Sequence, residues 1–301
     1  MSQKSVSSGP EWPTLVLILA VYALWLGLVL HGAALGLWLS IPALALTLTL
    51  HSSLQHEVSH GHPLPSRALS EALVYPPVGL VIPYPRFRDL HLAHHRDAAL
   101  TDPYDDPETN YLDPEVWNRL PGAVRRLLLF NNTLVGRITV GPAIGLFVFF
   151  RDELRRARAG DRAVRRAWSA HGLALVPVGA VVSGLGTLPV WGYLAACYLA
   201  LSVLKIRTFL EHQAHERARG RSVIIEDRGP LAFLFLNNNL HAVHHAHPQV
   251  PWYALPRLYA AGREQWLDRN LGYRYASYGE ILRRHLLRRK DPVPHPLWPR
   301  R

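Results

Sequence analysis

Two short stretches of this sequence repeat the same spacing of three histidines. Residues 91–95 read "HLAHH" and residues 241–245 read "HAVHH", so both have the pattern His-x-x-His-His. A third stretch, "HEVSH" at 56–60, places two histidines four residues apart. At 3.6 residues per helical turn, side chains four residues apart lie about 40° apart on one face. Each stretch can therefore direct two or three imidazoles at one centre, and imidazole is the commonest neutral metal ligand.

The number of clustered histidines indicates how many ions they could bind. A fourth stretch, "EHQAH" at 211–215, adds two more histidines. Because a structural zinc ion takes four ligands, the four stretches hold too many imidazoles for one ion. They hold enough for two ions with four or five nitrogens each. Cys197 is the only cysteine, which excludes a disulfide within the chain and any cysteine-based metal site.

Long apolar stretches are the elements that must position these histidines. Residues 12–30, 32–50 and 167–204 contain no Asp, Glu, Lys or Arg. About 20 apolar residues cross a bilayer, so the first two ranges predict one span each and the third predicts two. Soluble helices rarely remain uncharged for so long, because one face normally meets water. The sequence therefore predicts an all-α integral membrane protein with about four transmembrane helices in two hairpins, connected near residues 31–33 and 184–188.

The basic residues indicate the orientation of the chain. All 33 Lys and Arg residues fall in the segments 1–11, 51–166 and 205–301. Positive charge marks the cytoplasmic side of a membrane protein, so we expect these segments to be cytoplasmic and to form a helical cap that carries the histidine stretches. Residues 127–150, apolar apart from Arg137, have arginines on both sides, which predicts an interfacial or re-entrant segment rather than a full span.

This arrangement predicts one membrane-bound domain over residues 1–301. Its parts are a first transmembrane hairpin at 12–50, a cytoplasmic and interfacial segment at 51–166, a second transmembrane hairpin at 167–204 and a cytoplasmic segment at 205–301.

The formal charge of +11 is compatible with nucleic acid, an anionic membrane surface or an acidic protein as the partner. No nucleic-acid-binding motif accompanies the basic residues. The basic stretch 151–167 is explained more simply by a helix that lies near anionic lipid headgroups. We therefore expect membrane lipids, and not nucleic acid, as partners.

The position of the histidines limits the function that two bound ions could have. Two adjacent redox ions at a membrane surface favour the activation of O2. A non-catalytic metal-binding membrane protein, such as a metal transporter, is an alternative of a different class. It would place its ligands inside the spans, along a pathway, whereas these histidines lie at the ends of spans and in the segments between them.

The three stretches 56–60, 91–95 and 241–245, in this order and with two apolar hairpins, resemble the histidine boxes of the membrane fatty acid desaturase superfamily. The resemblance extends from about residue 12 to about residue 260. The local contexts "NNNLHAVHH" and "RTFLEH" look like those of bacterial members. The resemblance thus implies an integral protein of a bacterial inner membrane, with its histidine boxes on the cytoplasmic side.

The resemblance also implies a cofactor and a ligand set. Members of this superfamily contain a non-haem di-iron centre, with two Fe ions and O2 as co-substrate. His215 is the alternative to His212 as the ligand that follows the last span. His51 is a further candidate in the first box, although on an ideal helix it points about 140° away from His56. The implied metal ligands are His56, His60, His91, His94, His95, His212, His241, His244 and His245.

The activity implied is an O2-dependent fatty acid desaturase that introduces a carbon–carbon double bond into the acyl chain of a fatty acid or acyl lipid. A di-iron hydroxylase of a lipid, alkane or carotenoid is the alternative, because the histidine spacing does not distinguish the two outcomes. No ferredoxin or cytochrome b5 domain is recognisable in the sequence, so we expect a separate electron donor of one of these kinds. Glu57 and Glu211 adjoin candidate ligands and could orient their imidazoles.

Overall fold

The structure is a computed structural model that describes residues 9–95 and 99–298. These residues are mostly α-helical, as the sequence predicts, with one pair of short strands. The helices are α1 (Trp12–Leu35), α2 (Leu37–Ser59), α3 (Arg67–Val74), α4 (Tyr84–His94), α5 (Pro114–Arg119), α6 (Gly122–Asn131), α7 (Leu134–Thr139), α8 (Gly141–Arg158), α9 (Arg162–Ala180), α10 (Val190–Thr208), α11 (Pro230–Leu234), α12 (His241–Ala246), α13 (Leu255–Ala261), α14 (Arg263–Arg269) and α15 (Tyr278–His285). The strands are β1 (Ile224–Ile225) and β2 (Arg274–Tyr275).

Four helices of the described chain are long and apolar enough to cross a membrane, which agrees with the number expected from the sequence. The third of them is α9 with a π-helical turn added at its C-terminal end. The four segments are Trp12–Leu35, Leu37–Ser59, Arg162–Leu185 and Val190–Thr208.

The connection between the first two helices lies later than the sequence predicts. Residues 31–33 are helical, and the break comes at Gly36, whose φ of 81° is a conformation that glycine adopts without strain. The second helix continues to Ser59 because no Gly or Pro interrupts the polar stretch that follows its apolar part. It therefore carries His56 beyond the apolar residues.

The apolar stretch at 127–150 does not form one continuous helix. It is divided among α6, α7 and the first half of α8. The hydroxyl of Thr133 accepts a hydrogen bond from the backbone N–H of Gly136 at 3.1 Å and starts α7 as an N-cap. The interruption agrees with the expectation that this stretch is not a full span.

The chain divides into two compact units. The first unit comprises the chain up to Asp89 and residues Leu146–Leu201, and its core includes Leu44, Val178 and Val182. Trp25 donates a hydrogen bond from Nε1 to the Tyr193 hydroxyl at 2.8 Å, and this hydroxyl donates to the carbonyl of Val78 at 2.6 Å. Polar groups within this apolar core thus have hydrogen-bond partners.

The second unit comprises Leu90–Gly145 and Ser202–Arg301. Within it, β1 pairs in parallel with β2. The same short segment also fixes the third histidine box: the N–H of Ala242 donates to the carbonyl of Val223 at 3.0 Å, and the N–H of Ile225 donates to the carbonyl of Asn239 at 2.8 Å. A buried extended segment thereby fixes the position of α12.

Candidate metal centre

The second box ends helix α4, with His95 one residue beyond it, and the third box lies within α12. Each box divides its histidines in the same way. The first and last histidines of a triplet, four residues apart, turn their Nε2 atoms towards each other. The Nε2 atoms are 3.0 Å apart for His91 and His95, and 3.1 Å apart for His241 and His245. The middle histidine is rotated on the helix by about 60° from the first and about 100° from the last. Its side chain therefore points away from the Nε2 atoms of the outer pair.

His94, the middle histidine of the second box, joins the outer pair of the third box. We call His94, His212, His241 and His245 the four-histidine group; their ligand nitrogens all lie within 4.8 Å of one another. The Nε2 atom of His212 is 2.9 Å from that of His94 and 3.0 Å from that of His241. The structure thus brings His212 into the same cluster as the histidine boxes.

The two boxes exchange their middle histidines, because the middle histidine of the third box likewise joins the outer pair of the second box. We call His91, His95 and His244 the three-histidine group; their ligand nitrogens also lie within 4.8 Å of one another. The rings of His95 and His244 are 5.0 Å apart, edge to face. The rings of His95 and His245 stack at 4.1 Å, so the two groups adjoin.

The donor set of the four-histidine group fits a metal ion. Two nitrogens bonded to one ion at about 2.1 Å, at right-angled or tetrahedral positions, are separated by roughly 3.0–3.4 Å. The Nε2 separations of 2.9–3.1 Å within this group are close to that range. Four neutral nitrogen donors suit iron, copper, nickel or zinc.

Carboxylates on the loop after α4 orient the second histidine box. The Nδ1–H of His94 donates to Asp106 Oδ1 at 2.7 Å, and the Nδ1–H of His91 donates to Glu108 Oε1 at 3.1 Å. A proton held at Nδ1 leaves the lone pair on Nε2, the atom that faces the other imidazoles. Asp106 is itself fixed, since the backbone N–H groups of Thr101 and Glu108 donate to it at 2.9 Å each.

A longer chain of contacts orients the third box. His241 donates from Nδ1 to Asn238 Oδ1 at 3.1 Å, and Asn238 Nδ2 donates to Glu211 Oε1 at 3.1 Å. Glu211 is paired with Arg207 at 3.1 Å. Burial raises the pKa of Glu211, and the charge of Arg207 opposes that rise. Glu211 thus acts on His241 mainly through Asn238, since its carboxylate is 3.9 Å from His241 Nδ1.

The electrostatic environment differs among the histidines of one group. Burial lowers the pKa of His94, but the carboxylates of Glu108 and Asp106 outweigh burial and raise it to about 9. Burial and repulsion from neighbouring imidazoles lower the pKa of His212 and of His241 well below the ordinary value. The last two are therefore neutral at physiological pH, the form that ligates a metal, whereas His94 must release a proton in order to ligate one.

The first histidine box lies in the first unit, at the C-terminal end of α2. His56 and His60 are both buried, and their rings lie edge to face with centroids 5.2 Å apart. Nearby, His62 Nδ1 is 2.7 Å from a carboxylate oxygen of Glu11, and its Nε2 is 3.8 Å from Glu57. Glu57, which lies between the two histidines of the first box in the sequence, is therefore also close to His62.

The two alternative candidates, His51 and His215, lie outside both groups formed in the described part of the second unit. The Nε2 atom of His51 is 3.2 Å from the hydroxyl of Tyr22. His215 accepts a hydrogen bond at Nδ1 from the backbone N–H of Arg217 at 3.0 Å. Its imidazole organises the local turn.

Sequence reasoning did not identify Asp106, Glu108 or Asn238. The sequence of the acidic loop 101–109 is typical of a proline-rich turn. Its spacing does not predict that the loop contacts the second box. One signal was available: a ligating histidine nearly always donates its other N–H to an oxygen acceptor. The acidic loop after the second box and the Asn residues before the third are the nearest sources of such acceptors.

Comparison with known proteins gives a match to one family model. The family model described as fatty acid desaturase matches residues 32–277, a range that includes all three histidine boxes and most of the described chain. No curated protein matches the chain.

Proposed function

The chain belongs to the fatty acid desaturase family, whose members are membrane-bound oxidoreductases, and from this premise we propose that it is an O2-dependent desaturase of acyl chains. Its substrate is a fatty acid or acyl lipid, and its product carries a new carbon–carbon double bond. The observation that carries the proposal is the reciprocal division of two histidine triplets between two adjoining groups. A reaction that uses O2 with two metal ions requires two such neighbouring sites.

All nine histidines serve as ligands in this proposal. The four-histidine group binds one ion and the three-histidine group binds the second, and His56 and His60 are the remaining ligands that the family resemblance implies. Two iron ions held in this way would supply the O2 activation that is needed to break an unactivated C–H bond. The donor set supports this assignment, since imidazole suits iron.

The chain's own residues hold the site in the state that binds metal. Asp106, Glu108 and Asn238 accept the Nδ1–H of three histidines and so keep Nε2 available. His91, His94, His241 and His244 are each buried. This burial keeps water away from the centre, which prevents side reactions of activated oxygen.

We also propose that the four membrane-spanning helices form two hairpins with the histidine boxes on the cytoplasmic side of a bacterial inner membrane. The four apolar helices support the spans. The confinement of all 33 Lys and Arg to segments outside the apolar core of the hairpins supports the orientation.

The overall reaction balances with an external reductant. The substrate loses two hydrogens from adjacent carbons, and O2 takes up these hydrogens together with two electrons and two protons to give two molecules of water. Hydroxylation would consume the same oxygen and electrons but would place one oxygen atom on the chain. Analysis of the products therefore distinguishes the proposal from its alternative.

We expect loss of two hydrogens from adjacent carbons when the purified, reduced enzyme is given deuterated fatty acyl substrates. Mass spectrometry of the products, with His244→Ala as the inactive control, makes the measurement. A product that keeps all but one of its hydrogens and gains one oxygen atom would favour the hydroxylase. Iron-loaded protein that yields no product from any acyl, alkane or carotenoid substrate would favour a non-catalytic metal-binding protein.

A separate electron donor, of the ferredoxin or cytochrome b5 kind, supplies the electrons in this proposal. We expect an acidic donor to bind the basic chain through charge, because complementary potentials steer association. Its rate of reduction of the enzyme should fall several-fold from about 0.01 M to about 0.15 M salt, as the screening length drops from about 30 Å to about 8 Å. A small uncharged reductant is the control. Equal salt dependence for both reductants would remove the electrostatic part of the proposal.

A further inference from the structure

One apolar helix of the second unit has no buried residue. Helix α6, "GAVRRLLLFN", contains five large apolar side chains, yet none of its residues is buried. Leu127 and Phe130 are each 43% exposed. A helix of this composition would normally bury an apolar stripe against a neighbour. Leu128 and Leu129 are only partly buried, so within the described chain the apolar side of α6 is not fully covered.

A second exposed apolar surface lies at the end of α15. This helix buries Tyr278 and Ile281 on its inner side. Its other side continues into exposed leucines: Leu282 and Leu286 are 43% exposed, and Leu287 is 75% exposed.

Hydrogen bonds join the residues that follow α6 to the residues that follow α15. The N–H of Val135 donates to the carbonyl of Leu286 at 3.0 Å, and the N–H of Lys290 donates to the carbonyl of Asn132 at 3.0 Å. Residues 282–289 and helix α6, which we call the leucine–arginine patch, are therefore parts of one connected surface.

The residues next to this patch pack on the segment that follows a membrane-spanning helix. Ile281 of α15 and Leu134 of α7 share a buried core with Phe209 and Leu210, which directly follow α10 (Val190–Thr208). Because α10 is one of the candidate spans, the patch lies close to the level at which that span leaves the membrane.

The exposed leucines are close in sequence to several arginines and to few acids. Residues 122–131 contain no acid, and residues 278–289 contain one, Glu280, which pairs with Arg284 at 2.6 Å. The arginines of the patch are Arg125, Arg126, Arg283, Arg284, Arg288 and Arg289.

We propose that the leucine–arginine patch is a peripheral membrane-contact surface that binds anionic lipid headgroups. Leucines beside arginines fit an interface in which apolar side chains enter the headgroup region and guanidinium groups meet phosphate. An acidic protein partner would complement the arginines but would leave the leucines exposed. The charge and the apolar exposure together therefore favour the bilayer.

The test uses a fluorescent label on the intact protein in nanodiscs. Leu287→Cys is labelled with an environment-sensitive dye, and the parent protein is the background control because its single Cys197 is buried. Glu264→Cys, at an exposed position of α14 in the same unit, is the matched control. Quenching by spin-labelled lipids is then measured in discs of neutral lipid and in discs that contain phosphatidylglycerol.

We expect quenching at position 287 to be several-fold stronger than at position 264 and to increase with phosphatidylglycerol. Replacing Arg283, Arg284, Arg288 and Arg289 by Gln should remove that increase. Equal quenching at the two positions would overturn the proposal. So would a signal at position 287 that responds to an acidic electron carrier but not to the composition of the lipid.

Discussion

We expect His94→Ala and His244→Ala each to abolish turnover and to lower the iron content of the purified protein. Each variant removes the single histidine that a triplet contributes to the opposite group. The four-histidine group loses a nitrogen in the first variant and the three-histidine group loses one in the second. An ion with an incomplete set of ligands is held less tightly. Elemental analysis after iron-replete expression, together with product formation, makes the measurement, and about two Fe per chain are expected in the parent.

His215→Ala is the matched control for these variants. It removes an imidazole from a neighbouring stretch of the chain, but His215 contacts the backbone of Arg217 rather than either group. We expect its iron content and turnover to stay close to those of the parent, whereas His212→Ala should lose both. Loss in His215→Ala with retention in His212→Ala would show that the ligand assignment is wrong at this position.

Asp106→Asn is expected to weaken metal binding by about 10–100-fold, the range found when an acceptor behind a ligating histidine is removed. The carboxylate of Asp106 accepts hydrogen bonds from His94, Thr101 and Glu108. An amide has one acceptor oxygen and one donor NH2, so it cannot satisfy donors on both sides. In Asp106→Asn, either the imidazole of His94 loses the acceptor that fixes its orientation, or the loop loses the hydrogen bond from Thr101.

Retention of iron during challenge with a chelator measures this effect without reference to activity. Asp105→Asn is the control. Asp105 is the exposed neighbour of Asp106 on the same loop, and its substitution changes the charge by the same amount. A similar loss of iron in both variants would attribute the effect to charge alone. A thermal unfolding scan of each variant separates weaker binding from a disrupted loop.

Much of the candidate site could be predicted from the sequence because helical spacing is a local property. Histidines four residues apart must share a face, which identifies the paired members of each box. The number of membrane-spanning helices was equally accessible, since it depends on the length of uncharged stretches. Both predictions depend on residues that are near one another in the chain.

The rest depends on contacts between residues that are far apart in sequence. The pairing of His94 with His212, and of Asn238 with Glu211, requires the path of the chain to be known. The sequence predicts the first connection at residues 31–33 and not at Gly36, because the uncharged stretch continues through Gly36. A single glycine in an apolar run does not by itself predict a break.

The reciprocal exchange of middle histidines has a consequence for biosynthesis. The other members of the four-histidine group are synthesised more than a hundred residues after His94. In the same way, the three-histidine group lacks His244 when His91 and His95 have been synthesised. A nascent chain therefore contains neither cluster until synthesis has passed His245. A complete set of ligands for a metal ion is therefore available only late in synthesis, and a chain truncated before the third box leaves the second box without its partners in either group.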